Sequence, residues 1–191
     1  MQQLMKENAT SDAPKAASIL RTRKGVGEAE LGLANEMAIN QFIAHHSVIL
    51  QPEKKRMWVS TAPWQCGKYV AYDLNRIFSD SIDFNHEIYT ENLTVPADSF
   101  LQQQEYQQLM TYKRLAPVLR KQIKKKERLD EQTLHAFQHA NPHFFYVYEL
   151  LGDYYHATGQ QDKALRNWKK ALLLPIPKRS ESERIEHKIN N

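Results

Sequence analysis

Phe42 to Ala62, FIAHHSVILQPEKKRMWVSTA, holds two runs rich in branched and aromatic residues on either side of a polar turn, Gln51 to Lys55, which contains Pro52. Two such runs about a short polar turn predict a β-hairpin, with arms Phe42 to Leu50 and Arg56 to Ala62. Neither arm alternates cleanly between apolar and polar residues, so both predict strands covered on two faces inside a layered architecture. Downstream, Tyr69 to Leu74 (YVAYDL) reads as a further short strand, and Asn75 to Ser81 opens an irregular stretch that runs to Pro96. Upstream, Asp12 followed by Ala13 and Pro14 gives an N-cap with proline in the first turn. Ala16, Ala17, Ile19 and Leu20 supply an apolar stripe, and Gly25 and Gly27 close a helix running from Asp12 to about Lys24.

From Asp98 onward every signal is helical. Asp98 is placed to cap a helix through Leu101 to Arg114, with a kink or break at Pro117. Asp130 begins another, with Leu134 and Phe137 on one side, stopped at Asn141-Pro142. Phe144 to Thr158 and Asp162 to Leu174 form a pair joined near Gly159, and Ser180 with Glu183 three residues later is a capping-box signature for a terminal helix. The fold class expected is therefore α+β, with a mixed first domain over residues 1–96 and an all-α domain over 97–191.

Composition narrows the class further. At 191 residues, 41% hydrophobic and 25% charged, with 6 Gly and 8 Pro, the chain buries a core without staples and is neither collagenous nor low-complexity. No apolar run spans a bilayer, and the stretch MQQLMKENATSDAPK has neither the basic head nor the apolar segment of an export signal, so a soluble, cytoplasmic location is expected. One Cys forms no internal bridge, and the eight His show no zinc spacing, so no metal site is expected. The net charge of +4 is uneven: residues 1–96 hold 10 basic against 11 acidic residues, and residues 97–191 hold 16 against 11. Lys113 to Arg128 (KRLAPVLRKQIKKKER) carries eight basic residues and one acid, with no aromatic side chain interleaved to stack bases. That reads as a solvated helix end rather than a nucleic-acid stripe.

The helical pair contains Tyr148, Leu151-Gly152, Tyr155, Ala164, Trp168 and Ala171, with Pro175 or Pro177 beyond, at intervals that resemble one tetratricopeptide repeat over about 142–177. In this reading Gly152 and Ala164 are small where the two helices approach, while Tyr155 and Trp168 fill the space towards the next helix. About thirty-four residues earlier Pro117 and Val118 fall on the Leu-Gly positions, so no second repeat is legible. One repeat forms no peptide groove, so packing on the rest of the chain or on another protein is expected.

SDAPKAASILRTR (Ser11 to Arg23), LGLANEMAINQFIAHH (Leu31 to His46), Ser47 to Leu50 and MWVSTAPWQCGKYVAYDLN (Met57 to Asn75) resemble the C-terminal part of an autoproteolytic cysteine acyltransferase. The family is the penicillin acyltransferase and carcinine-hydrolase group of N-terminal-nucleophile (Ntn) hydrolases. The resemblance implies a partial α-β-β-α sandwich in the first half and an acyl transfer between an amide or thioester and an amine or water, with no cofactor. In that family a newly exposed N-terminal Cys attacks the carbonyl while its α-amine serves as base. Met1 does not supply this chemistry, so the nucleophile is expected on an upstream segment, which becomes the expected partner unless another protein takes its place.

Candidate residues follow from these readings. His45 and His46, adjacent on a predicted strand, point to opposite faces, one of them towards a catalytic cavity or both into a hydrogen-bonded core. Asn40 and Asn35 are side-chain amides able to stabilise an oxyanion, or else to hold turns. Cys66 reads as a packing residue, and Trp58 and Trp64 as core and cavity-edge aromatics. Ser47, Ser60 and Thr61 have no legible His/Asp set, and His86-Glu87 has no second His at helical spacing.

Overall fold

A computed structural model, mixed α and β overall, describes residues 12–79 and 87–190 in two compact units. One unit holds the chain up to Thr22 together with Ile39–Gln102, and the other holds Arg23–Ala38 and the chain from Gln103 onward.

The first unit carries the sheet. Strands β1 (Val48–Gln51), β2 (Arg56–Ser60) and β3 (Tyr69–Asp73) form an antiparallel sheet in the order β1-β2-β3. Ile49, Trp58 and Ala71 stand side by side across it, as do Leu50, Met57 and Tyr72. The turn after β1 is a 3₁₀ turn, Pro52–Lys54, closed by Lys55 in the left-handed region. The hairpin arms are shorter than the sequence suggests. Phe42 has a φ of 54°, which breaks any extended strand there, so residues 42–47 form an irregular approach to β1.

Helix α1 (Ala13–Leu20) starts where Asp12 accepts a hydrogen bond from the Lys15 amide. It ends before Lys24 because the Thr22 carbonyl accepts from the Asn40 amide instead of continuing a helical ladder. Ala17 of α1 packs with Trp58, Tyr69, Ala71 and Val95 on one face of the sheet, with Ala13, Leu20, Ile49 and Leu93 at the margin. By the alternation of strand side chains, Val48, Leu50, Met57, Val59, Val70 and Tyr72 line the other face. None of these six is buried, and Val48 and Leu50 are exposed. The expectation of two covered faces is thus corrected among the described residues: both faces are written in apolar residues, one is packed, and the other is half-buried at Met57, Val59, Val70 and Tyr72 and open at Val48 and Leu50. Where an irregular stretch was expected, Leu74–Ile77 form a helical turn, α2, because Asp73 caps it through the Asn75 amide.

The second unit is helical: α3 (Gln104–Lys125), α4 (Glu131–Ala140), α5 (Phe145–Ala157), α6 (Gln161–Leu172) and α7 (Arg179–Asn190). Asp98 caps not α3 but the 3₁₀ turn Ser99–Gln102 before it, through the Phe100 amide, within the first unit. α3 runs unbroken through Pro117. The proline removes one ladder bond, while Leu109, Tyr112, Leu115, Ala116 and Leu119 continue one buried stripe on both sides of it. Arg114, Arg120, Lys121, Lys124 and Lys125 of this helix are exposed, which is the solvated basic surface expected. Asp130 caps α4 through the Thr133 amide, and Gly159, with φ 77°, ends α5. The capping box at the last helix does not form. α7 begins one residue earlier, at Arg179, so Ser180 lies inside the first turn and Glu183 pairs with Arg179 at 2.7 Å.

Residues 23–38 belong to the helical unit, which departs from a single division at residue 96. Asn141 explains it: its side chain accepts from the Leu33 amide at 2.9 Å and donates to the Leu33 carbonyl at 2.7 Å, much as a neighbouring strand does. Asn35 donates to the Pro175 carbonyl, and Glu36 pairs with Lys178 at 2.6 Å. At Gly32, with φ 77°, a Cβ would lie 2.5 Å from the Phe144 nitrogen, so no side chain fits there.

Candidate functional site

The polar residues of the sheet unit gather beside the start of β1 and the loop between β2 and β3. Asn40 is fully buried; its Oδ1 accepts from the Phe42 amide at 3.0 Å and its Nδ2 donates to Cys66 Sγ at 3.3 Å. The i to i+2 bond is what an Asx turn makes, so Asn40 fixes the local backbone and presents no amide to a ligand. Asn35, in the other unit, repeats the arrangement with the Met37 amide. Cys66 is fully buried, and its position follows from Gly67, where a Cβ would lie 2.3 Å from the Thr61 carbonyl oxygen. Phe42 covers this polar centre, edge-on to Trp64 and tilted against Phe100, each with centroids 5.5 Å away.

Along the sheet, the Ser47 amide donates to Ser60 Oγ at 2.8 Å, the Ser60 amide donates to the Ser47 carbonyl at 2.9 Å, and Ser47 Oγ is hydrogen-bonded to the Tyr69 hydroxyl. Burial pushes the Tyr69 phenol up from its ordinary value. The phenol therefore stays protonated at neutral pH and takes no proton from Ser47. Arg21, just past α1, lies over the Tyr69 ring and donates to the carbonyls of Gln65 at 3.1 Å, Gly67 at 2.7 Å and Pro96 at 2.8 Å. One guanidinium thereby holds two separate pieces of backbone, the Gln65 to Gly67 loop and Pro96, to the edge of the core. Nothing in the sequence marked Arg21, because these three carbonyls lie far along the chain.

His45 and His46 are exposed in the irregular segment before β1, which corrects their assignment to a strand and to the core. The positive φ at Phe42 is the reason, since it turns the chain before a strand has begun. Neither imidazole is brought to Asn40. Thr61 is exposed, Trp58 donates through its indole nitrogen to the Leu93 carbonyl at 2.8 Å, and His86 lies outside the described residues. Among the described residues, no group of three or more His, Cys, Asp and Glu is arranged to hold a metal, and no helix is long and apolar enough to cross a membrane.

In the helical unit, Tyr148, Leu151, Gly152, Ala164, Trp168 and Ala171 are all buried between α5 and its neighbours, and Tyr155 is half-buried under Lys163. The packing differs in one respect from the expectation. A Cβ on Gly152 would lie 2.3 Å from the Trp168 ring, so the indole sits on the glycine within the pair rather than reaching towards a further helix. Trp168 Nε1 donates to Asp153 at 3.0 Å, which ties the ring to a charge cluster that the sequence reading missed. Glu149, only 2% exposed, receives two hydrogen bonds from Arg184 and one from Lys188, all 2.8 Å; Lys188 also reaches both Asp153 oxygens. The paired spacing, Glu149/Asp153 on α5 and Arg184/Lys188 on α7, was the available signal: one helical turn of acids facing one helical turn of bases. Burial alone would raise the Glu149 carboxyl, but the hydrogen bonds from Arg184 and Lys188 outweigh it and hold the group below its ordinary 4.5.

Compared with known proteins, the chain matches no family model, no curated protein and no solved structure.

Proposed function

We propose that this chain is the C-terminal portion of an Ntn-hydrolase-type acyltransferase or amide hydrolase, ending in a tetratricopeptide-like helical tail, and that by itself it catalyses nothing. The observation that carries the reading is the sheet face of Val48, Leu50, Met57, Val59, Val70 and Tyr72, apolar throughout and covered by no packed layer among the described residues. An apolar sheet face is what a second sheet packs on in an α-β-β-α sandwich. The polar residues support the silent half of the reading. Asn40 and Cys66 are fully buried, and Ser47 is hydrogen-bonded to a phenol that stays protonated. In the complete enzyme the nucleophilic Cys and its α-amine come from the segment encoded upstream, and this chain contributes one layer of the sandwich.

The test is to assay the 191-residue chain, and the same chain fused to its in-frame upstream sequence, against a panel of N-acyl p-nitroanilides. The fusion is expected to release nitroaniline and the short chain is not. Hydrolysis by the short chain, or an upstream sequence without a Cys at a cleavable position, overturns the reading.

A second reading rests on the helical unit, where α5 and α6 pack on α3 on one side and on α7 on the other. Stacked helices of this kind support a non-enzymatic protein-interaction module. It is favoured if the chain without any upstream segment unfolds in one cooperative transition and binds no hydrophobic dye.

A further inference from the structure

The two edges of the sheet are finished differently. In an antiparallel pair, residues alternate between those that exchange backbone hydrogen bonds with the partner strand and those whose amide and carbonyl point away from it. The Ser60 amide donates to the Ser47 carbonyl, which places Ser47 and Ser60 in a bonded pair; two residues along, Ile49 with Trp58 and Gln51 with Arg56 are bonded pairs too. Val48 and Leu50 therefore direct their amides and carbonyls outward, away from β2. On β3 the same counting points Tyr69, Ala71 and Asp73 outward, and at Tyr69 and Ala71 every group is taken. Tyr69 exchanges two bonds with Val95, the Ala71 carbonyl accepts from the Thr90 amide, and the Ala71 amide donates to Thr94 Oγ1. Nothing among the described residues does the same for β1, and its outward residues are the two exposed members of the apolar face, Val48 at 46% and Leu50 at 67%.

We propose that β1 pairs with β1 of a second copy of this chain, antiparallel and two-fold about Ile49, so that Val48 of each copy faces Leu50 of the other in one six-stranded sheet. The geometry selects this occupant in three ways. Two outward residues spaced symmetrically about Ile49 are self-complementary: the pairs Val48–Leu50 and Leu50–Val48 each exchange two backbone hydrogen bonds, which neither a helix nor a lipid surface supplies. Each exposed apolar side chain gains an apolar cross-strand neighbour, and Ser47 and Gln51, opposed in the same register, bring no like charges together. Because Thr90 to Val95 occupies the edge of β3, a second copy adds at β1 alone, and assembly closes at the dimer instead of running on into a fibre. The inference concerns the 191-residue chain by itself and does not depend on the acyl-transfer reading.

Sedimentation of the full chain from about 10 µM to about 1 mM tests it, since four strand-edge hydrogen bonds and two apolar contacts make a weak, concentration-dependent dimer. Amide exchange is expected to slow at Val48 and Leu50 with rising concentration and to stay constant at Ile49. A Val48→Lys/Leu50→Lys chain is expected to remain monomeric, its self-affinity at least about tenfold weaker than that of the native chain. Val48→Lys/Leu50→Glu, which sets Lys against Glu in this register, is expected to regain the dimer. Should the double-lysine chain fail to fold, Val48→Pro removes an outward donor without touching a bond to β2 and serves in its place. A monomer at every concentration overturns the proposal, as does a dimer that persists with two lysines or with the proline. A Lys/Glu chain that stays monomeric overturns the register.

Discussion

In the helical unit, α5 packs against α6, α3 and α4, and even its buried carboxylate finds an arginine and a lysine on α7. In the sheet unit, a strand of comparable apolar character leaves Val48 and Leu50 in solvent. The difference lies in what each element needs. A helix satisfies its backbone internally and only its apolar stripe seeks a partner, so a few helices close around one another. A strand leaves both backbone edges and both faces to be satisfied from outside, and three strands with one helix on one face provide for half of that.

Trp168→Ala strikes the closed region hardest. It empties the indole site on Gly152 and removes the Asp153 hydrogen bond, and is expected to destabilise the helical unit by about 3–5 kcal/mol, read by denaturant unfolding followed at 222 nm. A loss under about 1 kcal/mol would mean that α5 and α6 are not locked by this contact. Arg21→Met is the counterpart in the sheet unit. Three backbone carbonyls lose a charged donor, at an expected cost of about 2–3 kcal/mol, with amide exchange accelerating around Gln65 to Lys68 and leaving α5 unchanged. Exchange that accelerates equally in α5 would erase the distinction between the two units.

How far each region was legible follows from the same contrast. The helices carry their signals locally: Asp130 capping α4 and Gly159 ending α5 each act within a turn of the helix they bound. Pro117 does not break its helix, because the buried stripe runs past it on both sides. The strands depend on distant partners. Nothing near Phe42 announces its positive φ, so the sequence predicts a longer first hairpin arm than the structure holds and places His45 and His46 on a strand that is not there. The alternation of burial was misread for the related reason that a strand's composition states what its faces are suited to, not whether a covering layer is supplied. Asn141 holding Leu33 and Arg21 reaching Pro96 join residues too far apart for any local pattern to show.

The charge cluster gives the next sharpening of the comparison. Glu149→Gln keeps the shape and removes the charge, and is expected to cost about 1–2 kcal/mol at neutral pH, since Arg184 and Lys188 retain contact with solvent. The sign with pH is set by the depressed carboxyl. Its contribution is fully present above the unfolded value near 4.5 and is lost as pH falls through the lower folded value. The native chain is therefore expected to lose stability more steeply below about pH 5 than the variant, the two curves converging in acid. Parallel curves from pH 7 to 3 would show that the carboxyl is not held by these partners.

The smallest expected effect is the most informative about the open region. Leu50→Thr places a β-branched residue on β1 and removes an exposed apolar side chain, so at low micromolar concentration its stability is expected to lie within about 0.5 kcal/mol of the native chain. A hydrophobic dye that binds the native sheet face should bind this variant less. The two readouts separate two accounts of Leu50: a residue already serving the fold of the single chain would cost the 2–5 kcal/mol typical of a buried leucine. One held ready for a further strand costs almost nothing until that strand arrives, and its loss is then felt in association alone.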